Sequence, residues 1–282
     1  MRKQFFTTPD GLKLAADIDG PQDGPPVVLL HGGGQTRGSW KNGLAALIGR
    51  GYHVTSFDAR GHGESDWAKD GDYTLVAHIR DLCGVLAQLP PRPALVGASM
   101  GGVTALGALG ESNPPDARAL VLVDVTPKIN AAGAERIGAF MRANPEGFAT
   151  LDEAADAVSR YYPLRPRPKD ISGLRRNLRE VNGRLYWHWD PAFLGARRLE
   201  PDTNRAQLEA AALKAKIPTL LVRGHQSEIV GDAEVEHFRK LMPAAEYIDV
   251  ADAGHMVAGD RNDAFNAAII DFLARVDAAN PS

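Results

Sequence analysis

The stretch Leu95-Val96-Gly97-Ala98-Ser99-Met100-Gly101-Gly102 joins two different hydrophobic patterns. Residues 94–98 form a short, continuous apolar run, which is typical of a strand that is buried on both faces. From Val103 onward the apolar residues recur with the spacing of a helix. The sequence therefore predicts a sharp strand-to-helix corner with Ser99 at its tip.

Two glycines flank this serine at the positions where such a corner has no room for side chains. Gly97 and Gly101 lie two residues before and two residues after Ser99. The turn would hold the hydroxyl of Ser99 at the carboxyl end of the strand and direct the Met100 amide at any negative charge beside it. A glycine-rich turn with a solvated serine is the alternative interpretation of this pattern taken alone.

The composition is that of a globular protein without a strong electrostatic preference. The chain has 282 residues, of which 44% are hydrophobic and 24% charged, and its formal net charge is −3. This balance favours neither nucleic acid nor a membrane as partner. The single cysteine, Cys83, is compatible with a reducing compartment. No long apolar stretch follows the first charged residues, so we expect neither a secretion signal nor a spanning helix there. We therefore expect a cytoplasmic protein that needs no metal or other cofactor.

Apolar strand patterns alternate with helical patterns along most of the chain, which predicts an α/β fold with a mostly parallel, eight-stranded sheet flanked by helices. This core spans residues 1–126 and 214–282, and a helical cap, residues 127–213, is inserted after the sixth strand. The eight predicted strands are 3–8, 12–19, 25–30, 53–58, 94–98, 119–125, 218–224 and 245–250.

Aromatic and large apolar residues of the insertion are candidates for the walls of a substrate pocket over the active edge of the sheet. The alternative is that they hold the helices of the cap together. The candidates, with one residue from the core, are Trp40, Phe140, Met141, Tyr161, Trp187 and Trp189.

A serine hydroxyl needs a base to become a nucleophile, and the base needs a carboxylate to orient it. Among the eight histidines, His255 has the strongest claim because it follows the last strand directly after Gly254. Glu228 follows the seventh strand and is the favoured acid. Asp124, at the end of the sixth strand, stays open as the alternative acid.

Taken together, these motifs resemble the α/β-hydrolase superfamily, in the branch that also holds cofactor-free haloperoxidase-like and epoxide-hydrolase-like members. The resemblance implies that Ser99 is the nucleophile, His255 the base and Glu228 the acid. It also implies that His31-Gly32-Gly33-Gly34 is the oxyanion loop, with the amides of Gly33 and Met100 as donors. The family usually has aspartate where this chain has Glu228, which is a departure from its pattern.

The expected function is that of a serine hydrolase that cleaves an ester or similar acyl bond of a small-molecule substrate. Serine in place of an aspartate nucleophile argues against epoxide hydrolase and dehalogenase activity. Three alternatives stay open: a perhydrolase in which peroxide replaces water, a carbon–carbon bond hydrolase, and a small-molecule receptor. The sequence also leaves a homodimer open.

Overall fold

The computed structural model describes residues 1–161, 167, 169–195, 201–251 and 262–279. Its main sheet has eight strands in the order β1-β2-β4-β3-β5-β6-β9-β10, and only β2 runs in the direction opposite to the other seven. This confirms the predicted fold class. The strands are β1 (Arg2–Thr7), β2 (Lys13–Asp19), β3 (Pro26–Leu30), β4 (His53–Phe57), β5 (Ala94–Ala98), β6 (Ala119–Val123), β9 (Thr219–Gly224) and β10 (Glu246–Val250).

Helices cover both faces of this sheet because its central strands carry apolar residues on both sides. In β3, Val27 and Leu29 face one helical layer, whereas Val28 and Leu30 face the other. The first layer contains α1 (Lys41–Ile48) and α8 (Asn262–Ala279), and the second contains α2 (Leu75–Leu86), α3 (Met100–Leu109), α6 (Pro201–Lys214) and α7 (Asp232–Leu241). None of the helices in the described ranges is long and apolar enough to cross a membrane.

The insertion between β6 and β9 is not purely helical, which corrects the prediction. It contains α4 (Ala131–Arg142) and α5 (Leu151–Tyr161), but residues 170–181, whose sequence pattern also indicates a helix, form a short 3-10 helix followed by a strand. This strand, β7 (Leu178–Val181), pairs antiparallel with β8 (Arg184–Trp187).

The hairpin forms because its two-residue turn is Asn182-Gly183. Both residues have positive φ, 50° and 76°, as a tight hairpin turn of this kind requires. The turn outweighs the helical spacing that precedes it. As a result, the aromatic residues after the turn lie on strand β8 or directly after it, and not on a continued helix.

The last helix of the insertion packs directly on the core. A Cβ atom at Gly110, at the end of α3, would lie only 2.4 Å from the Cβ of Ala211 in α6. The side chains of Leu208 and Ala212 are buried in the same core cluster as α3. The insertion is therefore anchored where it rejoins the sheet.

Candidate active site

Ser99 occupies the strained corner between β5 and α3. Its φ is +46° and its ψ is −114°, a conformation that costs a residue with a side chain about 1–3 kcal/mol. A Cβ atom at Gly97 would lie 2.5 Å from the Gly101 carbonyl, and one at Gly101 would lie 2.5 Å from the backbone oxygen of Leu30. The two glycines therefore let the chain turn sharply enough to present Ser99 at the end of β5.

Replacing Gly97 by alanine should disrupt this corner, since the new methyl group meets backbone atoms that cannot rotate away. We expect the Gly97→Ala variant to lose about 1–3 kcal/mol of unfolding free energy, measured by urea titration. In Gly173→Ala, the matched control, the methyl group meets only the flexible guanidinium of Arg176 at 3.4 Å, so stability should stay close to that of the parent. Equal stability of the two variants would contradict this account of the corner.

The loop Gly32-Gly33-Gly34 runs beside Ser99. A Cβ atom at Gly32 would lie 3.4 Å from the Cβ of Ser99. The Gly32 carbonyl accepts a hydrogen bond from His31 Nδ1 at 2.8 Å and another from the Gln35 amide at 3.0 Å. The Gly34 amide donates to His62 Nε2 at 3.1 Å. Gly33 and Met100, by contrast, donate their amide hydrogens to no acceptor in the described part of the chain.

His31 and His62 are neutral because each accepts a hydrogen bond on one ring nitrogen. His31 Nε2 accepts from the Ala59 amide at 2.9 Å, and His62 Nε2 accepts from the Gly34 amide. Burial lowers the pKa of His31 and holds the pKa of His62 well below its usual range. Both rings therefore act as fixed supports of the loop and not as proton acceptors for catalysis.

A third histidine, His188, reaches the same loop from the insertion. Its Nδ1 accepts from the Gly63 amide at 2.8 Å, and its Nε2 donates to the Gly34 carbonyl at 3.2 Å. The side chain is 5% exposed, and burial lowers its pKa to about 4. The sequence alone favours His255 among the eight histidines and assigns no role to His188. The Asn182-Gly183 turn is the sequence signal that could have predicted the hairpin and, with it, the position of His188 directly after a strand.

The pKa of His188 makes the stability of the protein depend on pH. An unfolded His188 takes up a proton near its ordinary pKa of 6.5, whereas the folded residue stays neutral until about pH 4. Its stabilising contribution is therefore complete above pH 6.5 and is lost as the pH falls towards 4, on the order of 3 kcal/mol in total. Urea titrations between pH 7 and pH 4 should show a shallower decline for His188→Gln than for the parent, and parallel declines would contradict this.

Asp124, the alternative acid, lies directly beside the serine corner. The residue before it, Val123, accepts a hydrogen bond from the Ser99 amide at 3.0 Å. Asp124 is 1% exposed and has a positive φ of 48°. Its carboxylate accepts hydrogen bonds from the Gly224 amide at 3.1 Å and from Ser227 Oγ at 2.7 Å. A buried carboxylate with fixed donors is suited to orienting an imidazole.

The carboxylate of Glu228, the favoured acid, is instead bound to the insertion. One oxygen accepts a hydrogen bond from Tyr161 Oη at 2.8 Å, and the other pairs with Arg136 at 2.5 Å. A Cβ atom at Gly133 in α4 would lie 2.0 Å from the Glu228 carbonyl oxygen, so α4 packs tightly on this loop. The contacts of Glu228 thus connect the insertion to the core. The predicted base, His255, lies outside the described residues.

Four of the six predicted pocket residues form connected aromatic contacts in the insertion, and a fifth lies beside the glycine loop. Trp187 stacks on Trp189 with ring centroids 5.2 Å apart, and Phe140 stacks on Tyr161 at 4.4 Å. Phe140 and Trp187 join the two pairs at 5.8 Å. The fifth residue, Met141, reaches the glycine loop together with Trp189: a Cβ atom at Gly34 would lie 2.9 Å from Met141 Cε and 3.3 Å from Trp189 Cζ3.

Trp40 does not belong to this group. It is 2% exposed and packs beside Phe265 of α8, with ring centroids 5.9 Å apart. Leu44 and Leu47 of α1 belong to the same buried cluster. Trp40 is therefore a core residue of the α1 and α8 layer. It directly precedes α1, which packs on this face of the sheet.

The described side chains do not group into a metal site. Within the described ranges, no three histidine, cysteine, aspartate or glutamate residues are grouped so that they could hold a metal ion. The chemistry that the arrangement supports is nucleophilic attack by a serine beside backbone amide donors.

Comparisons with known proteins point in the same direction. Residues 27–268 match the model of the alpha/beta hydrolase family. The chain is 31% identical over 278 residues to the sn-1-specific diacylglycerol lipase ABHD11 of Mus musculus. This alignment covers 91% of this chain and 83% of the lipase. It is 31% identical over 250 residues to the esterase Rv0045c of Mycobacterium tuberculosis, covering 84% and 78%. A solved alpha/beta hydrolase from Novosphingobium aromaticivorans superposes with a TM-score of 0.82 at 27% identity, covering 97% of this chain and 98% of that one.

Proposed function

This chain is a hydrolase of the alpha/beta hydrolase family, and we propose that it cleaves an ester or similar acyl bond of a small molecule by serine catalysis. The observation that carries the proposal is the backbone of Ser99, whose positive φ lifts the hydroxyl at the end of the central strand. The relatives include a diacylglycerol lipase and an esterase, which supports an ester as the bond that is cleaved.

The reaction has two steps and passes through an acyl-enzyme. Ser99 Oγ attacks the carbonyl carbon while His255 accepts the hydroxyl proton, and the carbonyl electrons move onto oxygen. The tetrahedral intermediate collapses, the leaving group takes the proton from His255, and the acyl group stays on Ser99. Water, deprotonated by His255, then attacks this ester and releases the acid and the free serine.

The oxyanion is held by the amides of Gly33 and Met100. Gly34 is unsuitable because its amide already donates to His62. The Gly32 carbonyl is held by His31 on one side of the peptide, so the Gly33 amide of that same trans peptide points to the other side. Met100 is the first residue of α3, where the amide has no partner within the helix.

We assign the acid of the triad to Asp124 rather than to Glu228, although the sequence alone favours Glu228. Asp124 is short, buried and one residue beyond the backbone partner of Ser99. Both carboxylate oxygens of Glu228 are already engaged, one by Arg136 and the other by Tyr161. Ser227, the residue before Glu228, donates to the Asp124 carboxylate at 2.7 Å and helps to fix its orientation.

The function is tested by steady-state turnover of p-nitrophenyl esters with acyl chains of two to twelve carbons. We expect hydrolysis with a preference for one range of chain length. Failure to hydrolyse any ester of the panel would contradict the proposal and leave the receptor alternative. Each ester is assayed with and without hydrogen peroxide, because accumulation of peracid would identify peroxide as the preferred acyl acceptor.

A further inference from the structure

We propose that His188 is a positioning residue of the active site, through which the insertion holds the oxyanion loop in its catalytic conformation. The inference rests on the proposed function and extends it. By this inference the insertion contributes to the rate of the reaction, in addition to its proposed role in forming the substrate pocket.

The glycine loop depends on contacts from other segments in addition to its own turn, in which the Gln35 amide donates to the Gly32 carbonyl at 3.0 Å. Three consecutive glycines have no side chains that limit φ and ψ, so an isolated loop of this composition samples many conformations. His31 fixes the carbonyl of Gly32, and His62 fixes the amide of Gly34. These two contacts do not fix the peptide that follows Gly34, whose carbonyl needs a donor of its own.

His188 holds that point. Its Nε2 donates to the Gly34 carbonyl at 3.2 Å, from a residue 154 positions away in the sequence. Its Nδ1 accepts from the Gly63 amide at 2.8 Å, 125 positions away. Gly34 and Gly63 both have positive φ, 76° and 55°, so the ring joins two turns whose backbone conformations glycine alone adopts readily.

The segment that carries His188 is itself anchored on both sides. The His188 amide donates to the Asn177 carbonyl at 3.1 Å. Two residues later, the Asp190 amide donates to the Gly61 carbonyl at 2.8 Å, and the Asp190 carboxylate accepts from Tyr73 Oη at 2.5 Å. The imidazole is therefore delivered to the loop by a rigid piece of the insertion and needs little further ordering.

Packing around the ring excludes water and strengthens its two hydrogen bonds. The His62 ring centroid lies 5.8 Å from that of His188, and the Trp189 ring stands edge-on at 5.4 Å. The nearby charged and titratable groups are His31 and Asp58. Loss of the bond to the Gly34 carbonyl in this dry site would remove the contact from the insertion, so that the peptide planes around Gly33 and Gly34 could rotate more freely.

The two ring nitrogens can be replaced separately. His188→Gln keeps a donor near the Nε2 position for Gly34, whereas His188→Asn keeps an acceptor near the Nδ1 position for Gly63. His188→Phe removes both contacts and keeps a ring. His237→Asn is the matched control, because His237 contacts Glu209 at 2.8 Å in another part of the molecule.

We expect kcat for the best ester to fall by about 10²-fold in His188→Phe and His188→Asn, with KM nearly unchanged. His188→Gln should recover most of this loss, and His237→Asn should behave like the parent. The inference is overturned if kcat is unaffected, if KM rises in proportion to the loss, or if Gln and Asn are equally defective. The Gln and Asn pair carries the test should His188→Phe fail to fold.

Amide NMR resonances separate this inference from the proposed function. In His188→Asn, the amides of Gly33 and Gly34 should shift and exchange faster with solvent, while the Gly63 amide should change little. If the parent hydrolyses no ester, the proposed function fails, and the NMR result alone decides the role of His188. Unchanged resonances of Gly33 and Gly34 would then overturn it.

Discussion

Ser99→Ala should lower kcat by about 10⁶-fold, because the alanine variant has no atom that can form the acyl-enzyme. The substitution removes only one oxygen, and alanine must adopt the same positive φ as the serine, so the fold should be retained. Hydrolysis of the best p-nitrophenyl ester is the measurement, with thermal unfolding followed by circular dichroism to confirm that the variant is folded.

Ser39→Ala is the matched control for this variant. Ser39 is exposed, and its hydroxyl donates to the Thr36 carbonyl at 2.8 Å in the 3-10 helix before α1. Its rates should equal those of the parent. A folded Ser99→Ala variant that keeps a tenth or more of the parent kcat would show that another group is the nucleophile.

Asp124→Asn should lower kcat by about 10⁴-fold, since an amide cannot stabilise the imidazolium and favours the wrong tautomer of the base. Glu228→Gln should change kcat only slightly, because the glutamine keeps an oxygen that accepts from Tyr161. Both variants are compared with the parent on one ester at pH 7. The contrast between two isosteric changes assigns the acid.

The reverse result would return the acid role to Glu228: a large loss in Glu228→Gln with a mild effect of Asp124→Asn. Unfolding must be measured in parallel, because Asp124 is buried and accepts two hydrogen bonds. An amide in its place can leave one partner unsatisfied, at a cost of about 1–3 kcal/mol. The loss of kcat counts as catalytic only where the variant is fully folded under the assay conditions.

The sheet was predictable from the sequence because its central strands are continuous apolar runs bounded by turn residues. The run ending at Ser99 becomes β5, and the helical spacing after it becomes α3. The corner between them was predictable as well, because glycines two residues before and two residues after a serine are typical of such a turn. The close backbone contacts at Gly97 and Gly101 explain why glycine is required there.

The insertion was less predictable because local patterns conflict there. Helical spacing over residues 170–181 was outweighed by the Asn182-Gly183 turn, which produces a hairpin. Unless that hairpin is predicted, nothing in the sequence distinguishes His188 from the other seven histidines. Its contacts with Gly34 and Gly63 join segments more than 100 residues apart, and no local pattern encodes them.

The direction in which a side chain points was also beyond the sequence. Glu228 and Asp124 both follow strands of the sheet, so spacing could not separate their roles. Glu228 contacts Arg136 and Tyr161 on the insertion, whereas the buried Asp124 accepts hydrogen bonds from Gly224 and Ser227 in the core. Trp40 is a similar case, because its position after the glycine loop does not reveal that it packs beside Phe265.

Labelling with a fluorophosphonate tests the central claim most directly, since this reagent forms a stable adduct with an activated serine. The account predicts one adduct, found by mass spectrometry on the peptide that contains Ser99 and absent from Ser99→Ala. An adduct on another residue of the parent protein, or labelling that persists in Ser99→Ala, would contradict it.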